Sequence, residues 1–123
     1  MKRVMIVDDD EQIRESASIV LAKQGNKVIA VTNGLECLDL VREGFKGVIL
    51  MDVAMPLLDG WKTVRTLRDE GLLPGTLVCM LTGQEPSEDS SGLEECVFDY
   101  LRKPFSTDAL IKLVAGARAY LEA

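Results

Sequence analysis

The sequence predicts a three-layer α/β domain in which a five-stranded parallel sheet lies between helices. Two observations carry this. Five short apolar runs, at 3–7, 27–31, 47–51, 76–81 and 97–101, alternate with stretches whose apolar residues recur at helical spacing. The central run, GVILM at 47–51, is apolar almost throughout and β-branched near its middle, the pattern of a strand covered on both faces.

The elements follow in order. RVMIV stops at Asp8, Asp9 and Asp10, after which Ile13, Ala17, Val20 and Leu21 fall on one helical face. Gly25 and Asn26 end that helix, KVIAV forms the second strand, and Asn33 caps a helix carrying Leu35, Leu38 and Val41, with Gly44 at its end. Asp52 is expected just past the third strand. MPLLDG then leads into a helix over 61–70, and TLVCML forms the fourth strand, ending at Thr82. The stretch QEPSEDSSG at 84–92 is the least regular, and a helix is expected only from about Glu85 or Glu88 through Glu95. VFDYL is the fifth strand. Ser106 caps the last helix, whose apolar face is Leu110, Leu113, Val114 and Ala117.

Composition narrows the function. The 123 residues suffice for one domain, and 47% hydrophobic with 28% charged residues is the balance of a globular chain. No residues are expected to remain for a separate output or dimerisation domain. With 14 Lys and Arg against 20 Asp and Glu, the net charge is −6, and the basic residues are scattered along the sequence. Direct nucleic-acid or anionic-membrane binding is therefore not expected. No apolar run approaches the roughly 20 residues of a membrane span, and MKRVMIVDDD lacks an export signal. Cys37, Cys79 and Cys96 are odd in number and lack metal-finger spacing, which fits a reducing cytoplasm. Without a single histidine, Ser-His and Cys-His nucleophile pairs are excluded. The chemistry must rest on carboxylates.

In an open parallel sheet, ligands bind beyond the carboxyl ends of the strands. Asp8, Asp9, Asp10, Asp52, Thr82 and Lys103 all fall there. Carboxylates from two strand ends make a hard oxygen site suited to Mg²⁺, which accepts phosphate oxygens. A carboxylate can itself be the nucleophile and form an aspartyl phosphate, with Thr82 and Lys103 meeting the charge of the phosphoryl group. Taken singly, each of these residues reads as a helix start, a turn former or a surface charge. Their convergence gives them weight.

The motifs IVDDD at 6–10, MDVAMPLLDGW at 51–61, LT at 81–82 and DYLRKPF at 99–105 occur in an order that closely resembles a response-regulator receiver domain of two-component signalling. The resemblance covers about residues 3–121. It implies a flavodoxin-like (βα)5 fold with strand order 2-1-3-4-5 and a cis Lys103–Pro104 bond. It also implies Asp52 as phosphoacceptor, and Asp8, Asp9, Asp52 and the Ala54 backbone carbonyl around Mg²⁺. Thr82 becomes the switch hydroxyl, Lys103 the phosphoryl-contacting lysine and Tyr100 the aromatic switch residue. The implied partners are a sensor histidine kinase or histidine phosphotransfer protein upstream, and a downstream protein or fused output domain, with phosphorylation-dependent homodimerisation a further option. Such a domain catalyses only its own modification and is not an enzyme in the usual sense. Two positions depart from the pattern: Gly83 stands where alanine is common, and Cys96 where glycine commonly closes the fourth helix. Two other readings compete. One is a small Mg²⁺ phosphohydrolase with Asp8 as nucleophile and Asp10 as acid/base. The other is a receiver-like interaction module that works without phosphorylation.

Overall fold

A computed structural model describes residues 2–83, 90 and 92–123. In chain order the elements are β1 (Arg3–Val7), α1 (Glu11–Lys23), β2 (Lys27–Val31), α2 (Gly34–Arg42), β3 (Gly47–Asp52), α3 (Gly60–Asp69), β4 (Thr76–Thr82), a short 3₁₀ turn at Glu94–Cys96, β5 (Val97–Arg102) and α4 (Thr107–Glu122). All neighbouring strands pair in parallel, in the order β2-β1-β3-β4-β5. The expected fold class and strand order are found.

Strand composition explains the layering. Side chains alternate across a strand, so a parallel strand between two helical layers must be apolar on both faces. Met5, Val7, Ile49, Met51, Val78 and Met80 point into one core, which α2 and α3 close with Leu38, Val41, Trp61, Val64 and Leu67. Val4, Ile6, Val48, Leu50, Cys79 and Leu81 point into the other, closed by Ala17 and Leu21 of α1 and Leu110, Val114 and Ala117 of α4. Each fully buried side chain of this size contributes on the order of 1.5–3 kcal/mol. All three cysteines are free, and burial pushes the Cys37 and Cys79 thiols up to about 12, so neither ionises near neutrality.

Polar caps set where the helices begin. Asn33 and Ser106 act as expected, accepting from the backbone N–H groups of Glu36 and Ala109. Asp10 and Asp59 do the same for α1 and α3. Each such cap is worth about 1 kcal/mol. Because Asp59 occupies the N-cap, α3 starts at Gly60, one residue before the expected helix.

Strand ends also run one residue further than the apolar runs suggest. Asp52 pairs with Leu81 and Thr82 with Arg102, so β3, β4 and β5 each include a polar residue at the carboxyl edge. The ladder continues there despite the polar side chains because it is made by the backbone. The helix expected from about Glu85 or Glu88 through Glu95 falls mainly outside the described residues. At its end, the described residues form the 3₁₀ turn Glu94–Cys96 rather than an α-helical turn.

Candidate functional site at the carboxyl edge of the sheet

The site is assembled by strand ends. The Asp8 N–H donates to the Val31 carbonyl at 3.2 Å, extending the β1–β2 ladder just past β1. Asp52 closes β3, and the Val53 N–H donates to the Leu81 carbonyl at 3.0 Å. Thr82 closes β4, and its carbonyl accepts from the Lys103 N–H at 2.7 Å. That bond fixes the segment bearing the lysine next to the strand bearing the hydroxyl. The Lys103–Pro104 bond is cis.

Two buried carboxylates face one ammonium. Asp8 is fully buried and Asp52 is 4% exposed. Lys103 Nζ lies 2.7 Å from Asp8 Oδ2 and 3.2 Å from Asp52 Oδ1. The other Asp8 oxygen accepts from the Asp10 N–H at 2.9 Å, and Arg14 Nη1 donates to the Asp8 carbonyl at 2.8 Å. Arg14 did not stand out in the sequence, since its position on α1 carries no motif.

One lysine does not neutralise two buried acids. Burial first, and then the negative charge of Asp8, push the Asp52 carboxyl up to about 7, against the opposing pull of Lys103 and of a hydrogen bond from the Ala54 backbone. Burial alone would lower the Lys103 ammonium, but its contact with Asp8 and the charges of Asp52 and Asp8 outweigh that and hold it above its ordinary value. The pocket has an excess of negative charge.

Carboxylate oxygens of Asp8, Asp9 and Asp52 lie within 4.8 Å of one another, with Asp9 exposed at the mouth. Hard oxygen donors and uncompensated negative charge are what a small dication requires. The cluster could therefore bind a metal ion. Ala54 lies exposed two residues beyond Asp52, in the loop that Gly60 closes by donating to the Val53 carbonyl at 2.9 Å.

Tyr100 on β5 is 45% exposed, and its ring centroid lies 6.2 Å from that of Trp61. Asp10 is no free acid. Its Oδ1 accepts from the Gln12 and Ile13 N–H groups, so the carboxylate is engaged as a cap and poorly placed for the acid/base role of the phosphohydrolase reading. Beside Lys103, a cleft of about 440 Å³ opens between the start of α1 and the β5–α4 connection, with Ile13 and Phe105 among its walls.

A doubly wound parallel domain with an acid cluster and a lysine at the carboxyl edge has its polar groups gathered where open α/β sheets bind ligands. Residues 4–115 match the response regulator receiver domain family, and the chain belongs to it. It is the receiver domain of a response regulator in two-component signalling. It is 40% identical over 121 residues to the response regulator MprA of Mycobacterium sp. (strain KMS), covering 97% of this chain and 50% of that protein. The chain thus spans about half the length of the curated relatives it matches. Among solved structures, a CheY-like receiver domain protein from Methanospirillum hungatei JF-1 superposes with a TM-score of 0.94 at 38% identity, covering 98% of this chain and 97% of that one. The Francisella response regulator 1452 receiver domain gives 0.85 at 30% identity, covering 98% of each chain. Family membership removes the phosphohydrolase alternative. Among the described residues, no helix is long and apolar enough to cross a membrane.

Proposed function

We propose that the chain accepts a phosphoryl group on Asp52 from the phosphohistidine of a sensor kinase or phosphotransfer protein and thereby changes its protein contacts. The observation that carries this is the buried Asp52 carboxylate at a strand end, 3.2 Å from Lys103 and within the acid cluster.

An Asp52 oxygen attacks phosphorus in line with the departing imidazole. A P–O bond forms, the P–N bond breaks, and its electron pair returns to the donor's ring. Asp52 must be ionised to attack. The Lys103 ammonium moves from sharing the two carboxylates to meeting a phosphoryl oxygen, and the Thr82 hydroxyl donates to another. Asp8, Asp9, Asp52 and the Ala54 carbonyl would hold Mg²⁺, whose charge, when bound, favours the ionised carboxylate and offsets the phosphoryl oxygens. The cleft beside Lys103 gives the donor protein an apolar footing next to the reacting carboxylate.

A dianionic phosphoryl group at Asp52 draws the Thr82 hydroxyl towards it, and the half-exposed Tyr100 ring is expected to turn into the volume that the hydroxyl vacates. The output surface then comprises β5, the adjoining face of α4 and the segment before β5. The product is a changed binding surface that a downstream protein or a fused output domain reads, or that a second copy meets in a homodimer. The domain is a cytoplasmic signalling module on this reading, with no direct contact to nucleic acid.

The test is intact-mass analysis after treatment with acetyl phosphate and Mg²⁺, followed by site mapping. One added phosphoryl group on Asp52 is expected. Absence of uptake in the presence of Mg²⁺ would leave the receiver-like module that works without phosphorylation as the better reading.

Metal binding gives a separate prediction. Asp9→Asn removes an exposed oxygen charge without disturbing the buried Asp8–Lys103 pair, so Mg²⁺ affinity measured by calorimetry should fall roughly tenfold or more while the folded spectrum is retained. Equal affinity in the two proteins would remove Asp9 from the ligand set.

A further inference from the structure

The opposite edge of the sheet collects positive charge. Lys2 and Arg3 lie far in sequence from Lys27, Lys46 and Arg118, but parallel register brings their elements together. Arg3 pairs with Lys27 at the start of β1 and β2, Gly47 at the start of β3 lies beside β1, and α4 returns past the same edge. These are five of the chain's 14 basic residues, in a protein of net charge −6. Lys2, Arg3, Lys46 and Arg118 line one cavity of about 190 Å³, with Glu122 as its only acid.

The donors there are incompletely used. Arg118 Nη1 donates to Asn26 Oδ1 at 2.9 Å, but the buried Arg118 Nε has no acceptor. A buried donor left unpaired calls for a water or an ion. Lys46 Nζ is engaged with the Pro74 carbonyl at 2.7 Å, which holds its charge at the rim. Among the described residues, Lys2 and Arg3 form no ion pair.

The floor is bare backbone. Gly47 and Gly75 both take positive φ, and a Cβ would come within 2.4 Å of the Arg3 carbonyl at Gly47 and 2.6 Å of Lys46 Cδ at Gly75. Any side chain there would close the space.

We propose that this cavity binds a small dianionic oxyanion of the phosphate class, at a site separate from Asp52. Four cations against one carboxylate favour a dianion over a monoanion. The volume admits a compact ion but not a nucleotide, and the Arg118 fork suits a tetrahedral or planar oxyanion. The acid cluster at the far edge repels the same ligand and steers it here.

The experiment is an NMR titration of the full chain with inorganic phosphate at constant ionic strength, without Mg²⁺, repeated with acetate. Saturable shifts are expected at the Arg3, Gly47 and Gly75 amides and at the Arg118 Nε–H, with acetate at least about tenfold weaker. Arg118→Lys keeps the charge but loses the fork, and should weaken phosphate about tenfold. Glu122→Gln, at the exposed helix end, does not threaten the fold and should tighten it about threefold. Shifts that do not saturate, that are equally large at Arg65, Arg102 and Lys112, or that acetate reproduces at the same midpoint would overturn the site. So would an unchanged midpoint in Glu122→Gln.

Discussion

Asp52→Asn is expected to abolish phosphoryl uptake while making the metal-free domain more stable at neutral and alkaline pH. The first effect follows from removing the attacking oxygen charge at nearly constant volume. Acid-labile, hydroxylamine-sensitive phosphate should vanish under conditions that label the parent, and label mapped to Asp8 instead would refute the assignment. The second follows from linkage. The Asp52 carboxyl titrates at 3.8 in the unfolded chain and at about 7 in the fold. Below 3.8 both states hold the proton, and ionisation costs the fold nothing extra. Between those values the unfolded state has lost a proton that the folded state keeps, so stability falls as pH rises and levels off above about 7. Asparagine cannot ionise and escapes this cost, which is roughly 1–4 kcal/mol at about pH 8. Denaturant unfolding in a chelator should therefore show a gap between variant and parent that widens from about pH 4 to about pH 8. A gap that is constant across that range would show that Asp52 ionises in the fold as freely as in the unfolded chain.

Much of the site was legible because its signals are local. An apolar run that stops at polar residues marks a strand's carboxyl end, and Asp8, Asp9, Asp52, Thr82 and Lys103 were placed at such ends as candidates on that ground. What could not be read were relations made across the chain. The sequence placed Lys103 at the site, but only the fold shows it between Asp8 and Asp52, and burial together with the Asp8 charge explains why Asp52 holds its proton so high. Asp10 stood out as one of three acids after the first strand and Asp59 as part of MPLLDG before the third helix, whereas both are N-caps. Aspartate serves as metal ligand, turn former and cap alike, and the deciding hydrogen bond depends on a helix start known only to within a residue or two. The basic edge was illegible for a related reason. Its members are separated by up to more than a hundred residues, and register alone brings them together.

The link between fold and site is sharpest at Gly60, where replacement by alanine is expected to cost about 2 kcal/mol or more and to slow phosphorylation. Gly60 is the first residue of α3, and in a helix the change to alanine is ordinarily favourable by up to about 1 kcal/mol. Here the added Cβ would sit 2.4 Å from the Asp52 carbonyl oxygen and 3.0 Å from Val53 Cα. Both are backbone atoms of the loop that begins at the proposed phosphoacceptor, so relief requires moving α3 away from β3 or shifting Asp52 itself. Either movement disturbs the hydrogen bond from Gly60 to the Val53 carbonyl and the placement of Ala54. Gly116, in α4, provides the control. A Cβ there meets nothing within 4 Å, and Gly116→Ala should stabilise the domain by about 0.5–1 kcal/mol without changing phosphorylation. Opposite signs for two glycine-to-alanine changes in helices separate crowding at the site from helix propensity. If Gly60→Ala stabilised the domain as Gly116→Ala does, the close approach of α3 to the Asp52 backbone would not be what positions the site.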